Sequence, residues 1–199
     1  MSVVVITPPD PLVSLADIKA HLRITGTSQD SLLSTYLAAA QSQIDGPSGV
    51  LGRAVGVQTL ELQGIETADP QAWIKLPFPP VTAITSVSYG ANVTLDPSAY
   101  VFGPGDVVRP MSGGAWPWLS GDRLSVRVRY VAGYATLPGA IKAAILLAVQ
   151  NLYALGARDP SLTVDTVFGV GSQQFSANAT PVLTQTAEKL LAPYRVLLA

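Results

Sequence analysis

The sequence predicts an α+β fold: a small helical bundle framework with an inserted antiparallel β region and an extended C-terminal arm. Three observations carry that expectation. Apolar residues recur at helical spacing near the N-terminus and again after Leu137. Between Val55 and Ala132 the period switches to two, with Gly and Pro punctuating the strands. From Ala157 to Thr186 all periodicity is lost. The expected division is therefore N-terminal framework helices in 1–54, the β insertion in 55–132, a central framework helix in 133–156, and a C-terminal arm with a terminal helix in 157–199.

Taken in order, Ser14 to Arg23 reads as a short helix. Ser14 is the N-cap, Asp17 stands in the capping-box position, and Leu15, Ile18 and Leu22 form one stripe. A second helix runs from about Asp30 to Ile44, with Leu33, Tyr36, Leu37, Ala40 and Ile44 on one face, until Gly46-Pro47 stops it. Val55 to Leu62 alternates as a strand does, Trp73 to Leu76 is a second strand candidate, and Val81 to Tyr89 is rich in β-branched residues. Tyr100-Val101-Phe102 and Val107-Val108 are short pieces between turns. Leu124 to Val131 shows the clearest alternation in the chain. Together these suit a small antiparallel sheet, curved or barrel-like. A helix follows Leu137 with Pro138 in its first turn. Ile141, Ala144, Ile145, Ala148, Leu152 and Leu155 line one of its faces and Leu146, Val149 and Tyr153 another, as expected at the centre of a core or interface. The thirty or so residues that follow are long for a loop in a compact domain. They read as a surface loop, as strands without a clear pattern, or, the preferred reading, as an arm whose scattered apolar residues order it on a partner. A last helix is expected from Pro181 to Leu191 or a little beyond, interrupted at Pro193.

Of the 199 residues, 48% are hydrophobic and only 13% charged, against roughly 25% charged in an average soluble domain. Such a surface is either that of a densely packed Ala-rich protein or one that other subunits cover. The net charge of −1 gives no basic field to attract nucleic acid. With no cysteine there is no disulfide, thiolate metal site or Cys nucleophile. MSVVVITPPDP lacks the pattern of a secretory signal, and the apolar run Ala143 to Val149 is well short of the roughly 20 residues of a membrane span. The expectation is a chain made in the cytoplasm that stays soluble or joins an assembly, with no membrane partner.

Catalysis finds no parts. His21 is the only histidine, so no His-rich zinc site can form and no cofactor or metal is expected. Most aspartates stand in turns such as Asp10-Pro11, Asp69-Pro70 and Asp96-Pro97, and Glu61, Glu66 and Glu188 are scattered. Gly169-Val170-Gly171-Ser172 and Gly46-Pro47-Ser48-Gly49 both fall short of phosphate-loop and nucleophile-elbow patterns. Arg127 and Arg129 share a strand face that could meet phosphates or pair with Asp122, Asp106 or Glu61. Trp116 and Trp118 form an aromatic loop tip after Gly113-Gly114. Such tips pack over a sheet end, contact a neighbouring subunit or bind sugars and bases.

The ordered set LVSLADIKAHLRI, AAAQSQID, LPFPPVTAITSVSY, LDPSAYVF, GGAWPWL, VRVRYVAGY, LPGAIKAAILLAVQNLY and LLAPYR resembles the head-tail connector (adaptor) proteins of long-tailed phages and gene transfer agents. The resemblance implies a non-enzymatic virion protein, a ring subunit, usually one of twelve, beneath the portal at the neck. That ring extends the DNA channel without binding DNA specifically and presents a platform to the next neck or tail protein. It further implies portal contacts in the C-terminal part, for which Val164, Val167, Phe168, Val170, Phe175, Leu190, Leu191 and Tyr194 are the candidates. Trp116 and Trp118 are candidates for contacts between subunits. A tail terminator-type neck or tail protein and a carbohydrate-binding module are the alternatives.

Overall fold

The computed structural model describes residues 1–65, 71–90, 93–112, 114–116, 126–156, 164–167, 171–174 and 182–196, with backbone only for 164–167 and 171–174. Two compact units emerge. One comprises Met1–Leu12, Gln43–Leu137 and Arg195–Ala199; the other comprises Val13–Ser42 and Pro138–Tyr194. The architecture is α+β, as expected.

The first unit is built on strands β1 (Ser2–Thr7), β2 (Gln58–Ile65), β3 (Ile74–Lys75), β4 (Val81–Tyr89), β5 (Val93–Thr94), β6 (Tyr100–Gly103), β7 (Val107–Pro110) and β8 (Val126–Ala132). Five of them form a sheet in the order β1-β2-β8-β4-β5, and three form a second sheet, β3-β7-β6. Every pairing is antiparallel. The small antiparallel sheet expected, curved or barrel-like, is two sheets over one core. β8 is central because its alternation is the cleanest. Val126, Val128, Tyr130 and Ala132 are buried while Arg127, Arg129 and Val131 lie half-buried on the other face. The core joins these residues to Leu60, Leu62 and Ile65 of β2, Val87 of β4, Ile74, Val108 and Trp116. Tyr130 keeps its hydroxyl satisfied by donating to the Pro77 carbonyl oxygen at 2.8 Å. Burial, aided by the charge of Asp106, raises its pKa.

The second unit holds α1 (Leu15–Leu22), most of α2 (Asp30–Ile44), α3 (Gly139–Gly156), the antiparallel pair β9 (Val164–Val167) and β10 (Gly171–Gln174), and α4 (Gln185–Leu191). Ser14 caps α1 as expected: its Oγ accepts from the Asp17 amide at 3.1 Å and donates to the Asp17 carboxylate at 2.7 Å. α3 packs against α1 and α4 and buries Ile141, Ala144, Ile145, Ala148 and Val149. By length and composition alone α3 could cross a membrane; here it is the central helix of a helical core, completed by Ile18, Leu33, Leu37, Leu183 and Ala187.

Several elements differ from expectation, the unforeseen two-residue β5 among them. β1 was not foreseen, because an uncharged SVVVIT carries no alternation to mark a strand. The strand expected over Val55 to Leu62 begins only at Gln58, since the amides of Val55 and Gly56 donate to the Asp45 carboxylate instead of a ladder. The arm contains the β9–β10 pair, whose residues alternate too weakly to show it. The last helix starts at Gln185 rather than Pro181, because Thr184 Oγ1 accepts from the Ala187 amide and sets the cap.

Candidate assembly interface

Several polar groups among the described residues are engaged within the fold. His21 is exposed and hydrogen-bonds Gln150 through Nε2 at 2.9 Å. No group of three His, Cys, Asp or Glu residues that could hold a metal exists among the described residues. Glu61 and Arg129 face each other across β2 and β8, and the guanidinium donates twice to Glu61 Oε2, at 3.0 and 2.7 Å. Burial alone would raise the Glu61 pKa. Hydrogen bonds from Gln63 and Arg129, with the charges of Arg129 and Arg127, outweigh burial and lower it. Arg127 Nη2 donates to the Gly90 carbonyl oxygen at 3.0 Å. Of the two uses open to this arginine pair, Arg129 takes the carboxylate.

Asp45 organises the entry into the sheet. Its Oδ1 accepts from the Val55 amide (2.6 Å) and Gln58 Nε2 (2.9 Å), and Oδ2 accepts from the Gly56 amide (3.2 Å). Burial dominates here and raises the pKa despite these donors. The Ala132-Gly133-Tyr134 junction closes on the same point. The Gly133 amide donates to the Pro80 carbonyl oxygen at 2.9 Å and the Tyr134 amide to that of Val55 at 3.0 Å. Gly133 has φ +127°, and a Cβ there would collide with the Gly56 carbonyl and the Val57 Cα. Arg53 donates to the Tyr134 hydroxyl, with its guanidinium 5.8 Å from the ring centroid. The junction is therefore a backbone crossing that only glycine fits.

Surfaces suited to partners lie elsewhere. In β1 Val4, Val5 and Ile6 are each about 40% exposed, and the strand forms an edge of the five-stranded sheet. Trp73 is 69% exposed, with the Arg109 guanidinium 5.4 Å from its ring centroid. The two line a groove of about 360 Å³ together with Gln71, Pro110 and exposed Met111. Buried Trp116 donates from Nε1 at 2.8 Å to the carbonyl oxygen of Ala72, which also lines that groove. Exposed Trp, Arg and Met together have the composition of binding hot spots. In the second unit Leu147, Gln150, Asn151, Ala154, Thr184 and Thr186 line a groove between α3 and α4.

The residues singled out from the sequence fall in different places. Trp116 lies in the sheet core, so its indole offers no platform for a sugar; Trp118 lies outside the described residues. Leu191 is buried in the helical core, while Leu190 and Tyr194 are half-buried. Val164 and Val167 stand at the two ends of β9, and Phe168, Val170 and Phe175 lie outside the described residues. The structure adds Val4, Val5, Ile6, Trp73 and Arg109. The uncharged run in β1 was visible in the sequence, but the exposure of Trp73 follows only from folding.

Residues 13–88 match the model of the family described as phage gp6-like head-tail connector protein. No curated protein matches the sequence. Among solved structures, the chain is similar over its whole length to a chain of the neck of an empty gene transfer agent particle, computed with C6 symmetry. The TM-score is 0.71 at 20% identity, over 97% of that chain. A chain from the virion of a native gene transfer agent particle gives 0.67 at 21% identity, again over 100% of this chain and 97% of the other. One from the neck of a native particle, computed with C12 symmetry, gives 0.64 at 17% identity with the same coverage. Residues 13–88 are thus similar to phage gp6-like head-tail connector proteins, and the fold is similar to that of chains in gene transfer agent particles.

Proposed function

We propose that the chain is a structural subunit of a head-tail connector in the neck of a phage or gene transfer agent particle. It forms a ring beneath the portal, continues the DNA channel and offers a platform to the next neck or tail protein. The family match over residues 13–88 carries this reading. The full-length likeness to neck chains supports it, and the neck computed with C12 symmetry supports twelve copies. The physical character of the chain agrees. Many polar groups among the described residues serve caps, turns and cross-strand pairs, the net charge is near neutral, and an apolar sheet edge and a Trp–Arg groove are exposed that assembly would cover. A near-neutral wall lets DNA pass without the multiple phosphate contacts that would hold it. The role is structural rather than catalytic.

Within that ring, Phe168, Val170 and Phe175, with Val164, Val167, Leu190 and Tyr194, are our candidates for the portal contact. Cryo-electron microscopy of purified particles tests the whole reading. Twelve-fold density for this chain between portal and tail is expected, and its location anywhere else overturns the assignment. Co-purification with the portal protein tests the contact. The double variant Phe168→Ser/Phe175→Ser should lose portal binding while remaining soluble, and undiminished binding removes these residues from the interface.

A further inference from the structure

A cyclic ring needs two different surfaces on each subunit, one for each neighbour. β1 has the features of one of them. It pairs with β2 on one side, and among the described residues its other edge is unpaired. Natural sheets blunt such edges with Lys, Pro or a covering element. Ser2–Thr7 has no charge and no proline, and Val4, Val5 and Ile6 stay about 40% exposed. A row of free backbone donors and acceptors flanked by β-branched side chains fits one chemistry, an extended strand added alongside.

The same chain carries a strand pair in need of a sheet. β9 and β10 pair antiparallel, from Gly171 opposite Val167 to Gln174 opposite Val164. Among the described residues they pair only with each other. An isolated two-stranded hairpin is marginally stable in water and gains from a third strand. Its four-residue strands fit along the six residues of β1. Asp165 is the single charge in either strand, so no like-charge opposition arises. Of the other open edges among the described residues, β3 and β5 have two residues each, too few to hold a register, and β6 has four, against the six of β1. We propose that the β9–β10 hairpin of one copy adds to the β1 edge of the next, continuing the five-stranded sheet from subunit to subunit around the ring. This rests on the ring reading above.

The absence of cysteine makes the test clean. Rings or particles carrying Val4→Cys or Val5→Cys together with Thr166→Cys or Ser172→Cys would be oxidised and run on non-reducing gels. At least one pair should give a ladder of covalent multimers up to the full ring, and each single variant should stop at dimers or monomers. Rings that assemble yet yield no ladder from any pair overturn the strand addition while leaving the ring reading intact. So do disulfides confined within one chain, or a ladder from Val4→Cys with Phe102→Cys on the β6 edge alone. Failure of the unmodified chain to occupy a ring in the particle overturns both. As a second readout, Val4→Glu should lower ring yield at least tenfold, with Ser172→Lys in the same chain restoring part of it. Unchanged yield counts against the proposal.

Discussion

Substituting Gly133 by alanine isolates the backbone crossing at the strand–helix junction. At φ +127° an L side chain is strained, a cost of about 1–3 kcal/mol. The new methyl would also meet the Gly56 carbonyl and the Val57 Cα, which belong to the backbone and cannot rotate away; overpacking of that kind costs about 1–3 kcal/mol more. The expected loss is therefore about 2–6 kcal/mol, a large share of the roughly 5–15 kcal/mol of a typical domain. Gly105 is the internal control. Its φ is +85° and a Cβ there meets nothing within 4 Å, so Gly105→Ala should cost only about 1–2 kcal/mol. Trp73, Trp116 and Trp118 all fall within 43–137, the same unit as Gly105 and Gly133. Urea unfolding followed by tryptophan fluorescence thus reports on the right part of the chain. If Gly133→Ala proves no more destabilising than Gly105→Ala, the steric crossing is not what keeps glycine there.

The other predictions concern the helical core, the cross-strand pair and a cap. Ile145 is fully buried in α3, so Ile145→Ala should cost about 2–5 kcal/mol, measured by far-UV circular dichroism; a loss below 1 kcal/mol would place α3 outside the core. The folded-state pKa of Glu61 is depressed below its ordinary 4.5, so its stabilisation is fully present above that value and fades as pH falls through the folded pKa. Glu61→Gln should flatten that acid limb and cost about 1–3 kcal/mol at neutral pH; an unchanged pH profile would separate the pair from stability. Ser14→Ala removes the bond to the Asp17 amide and should cost about 1 kcal/mol by thermal melting, with Ser14→Asp largely retaining the cap.

What the sequence by itself determined was everything carried by local pattern. α1 and α2 follow from their apolar stripes and the Ser14 cap, β8 from its alternation, and α3 from Pro138 and two apolar faces. The absence of cysteine and the single histidine follow from composition. Tertiary structure decided whatever depends on distant residues. Asp45 reaches the amides of Val55 and Gly56 and delays β2 to Gln58, an effect no window around that strand contains. β1 is a strand because β2 offers it an edge, since an uncharged run of Val and Ile has no periodicity of its own. Trp116 and Trp73 look alike as letters; one is buried by two sheets sharing a core and the other is left outside. Local sequence encodes which elements form, whereas burial and edge pairing arise from long-range contacts that exist only after the chain has closed on itself.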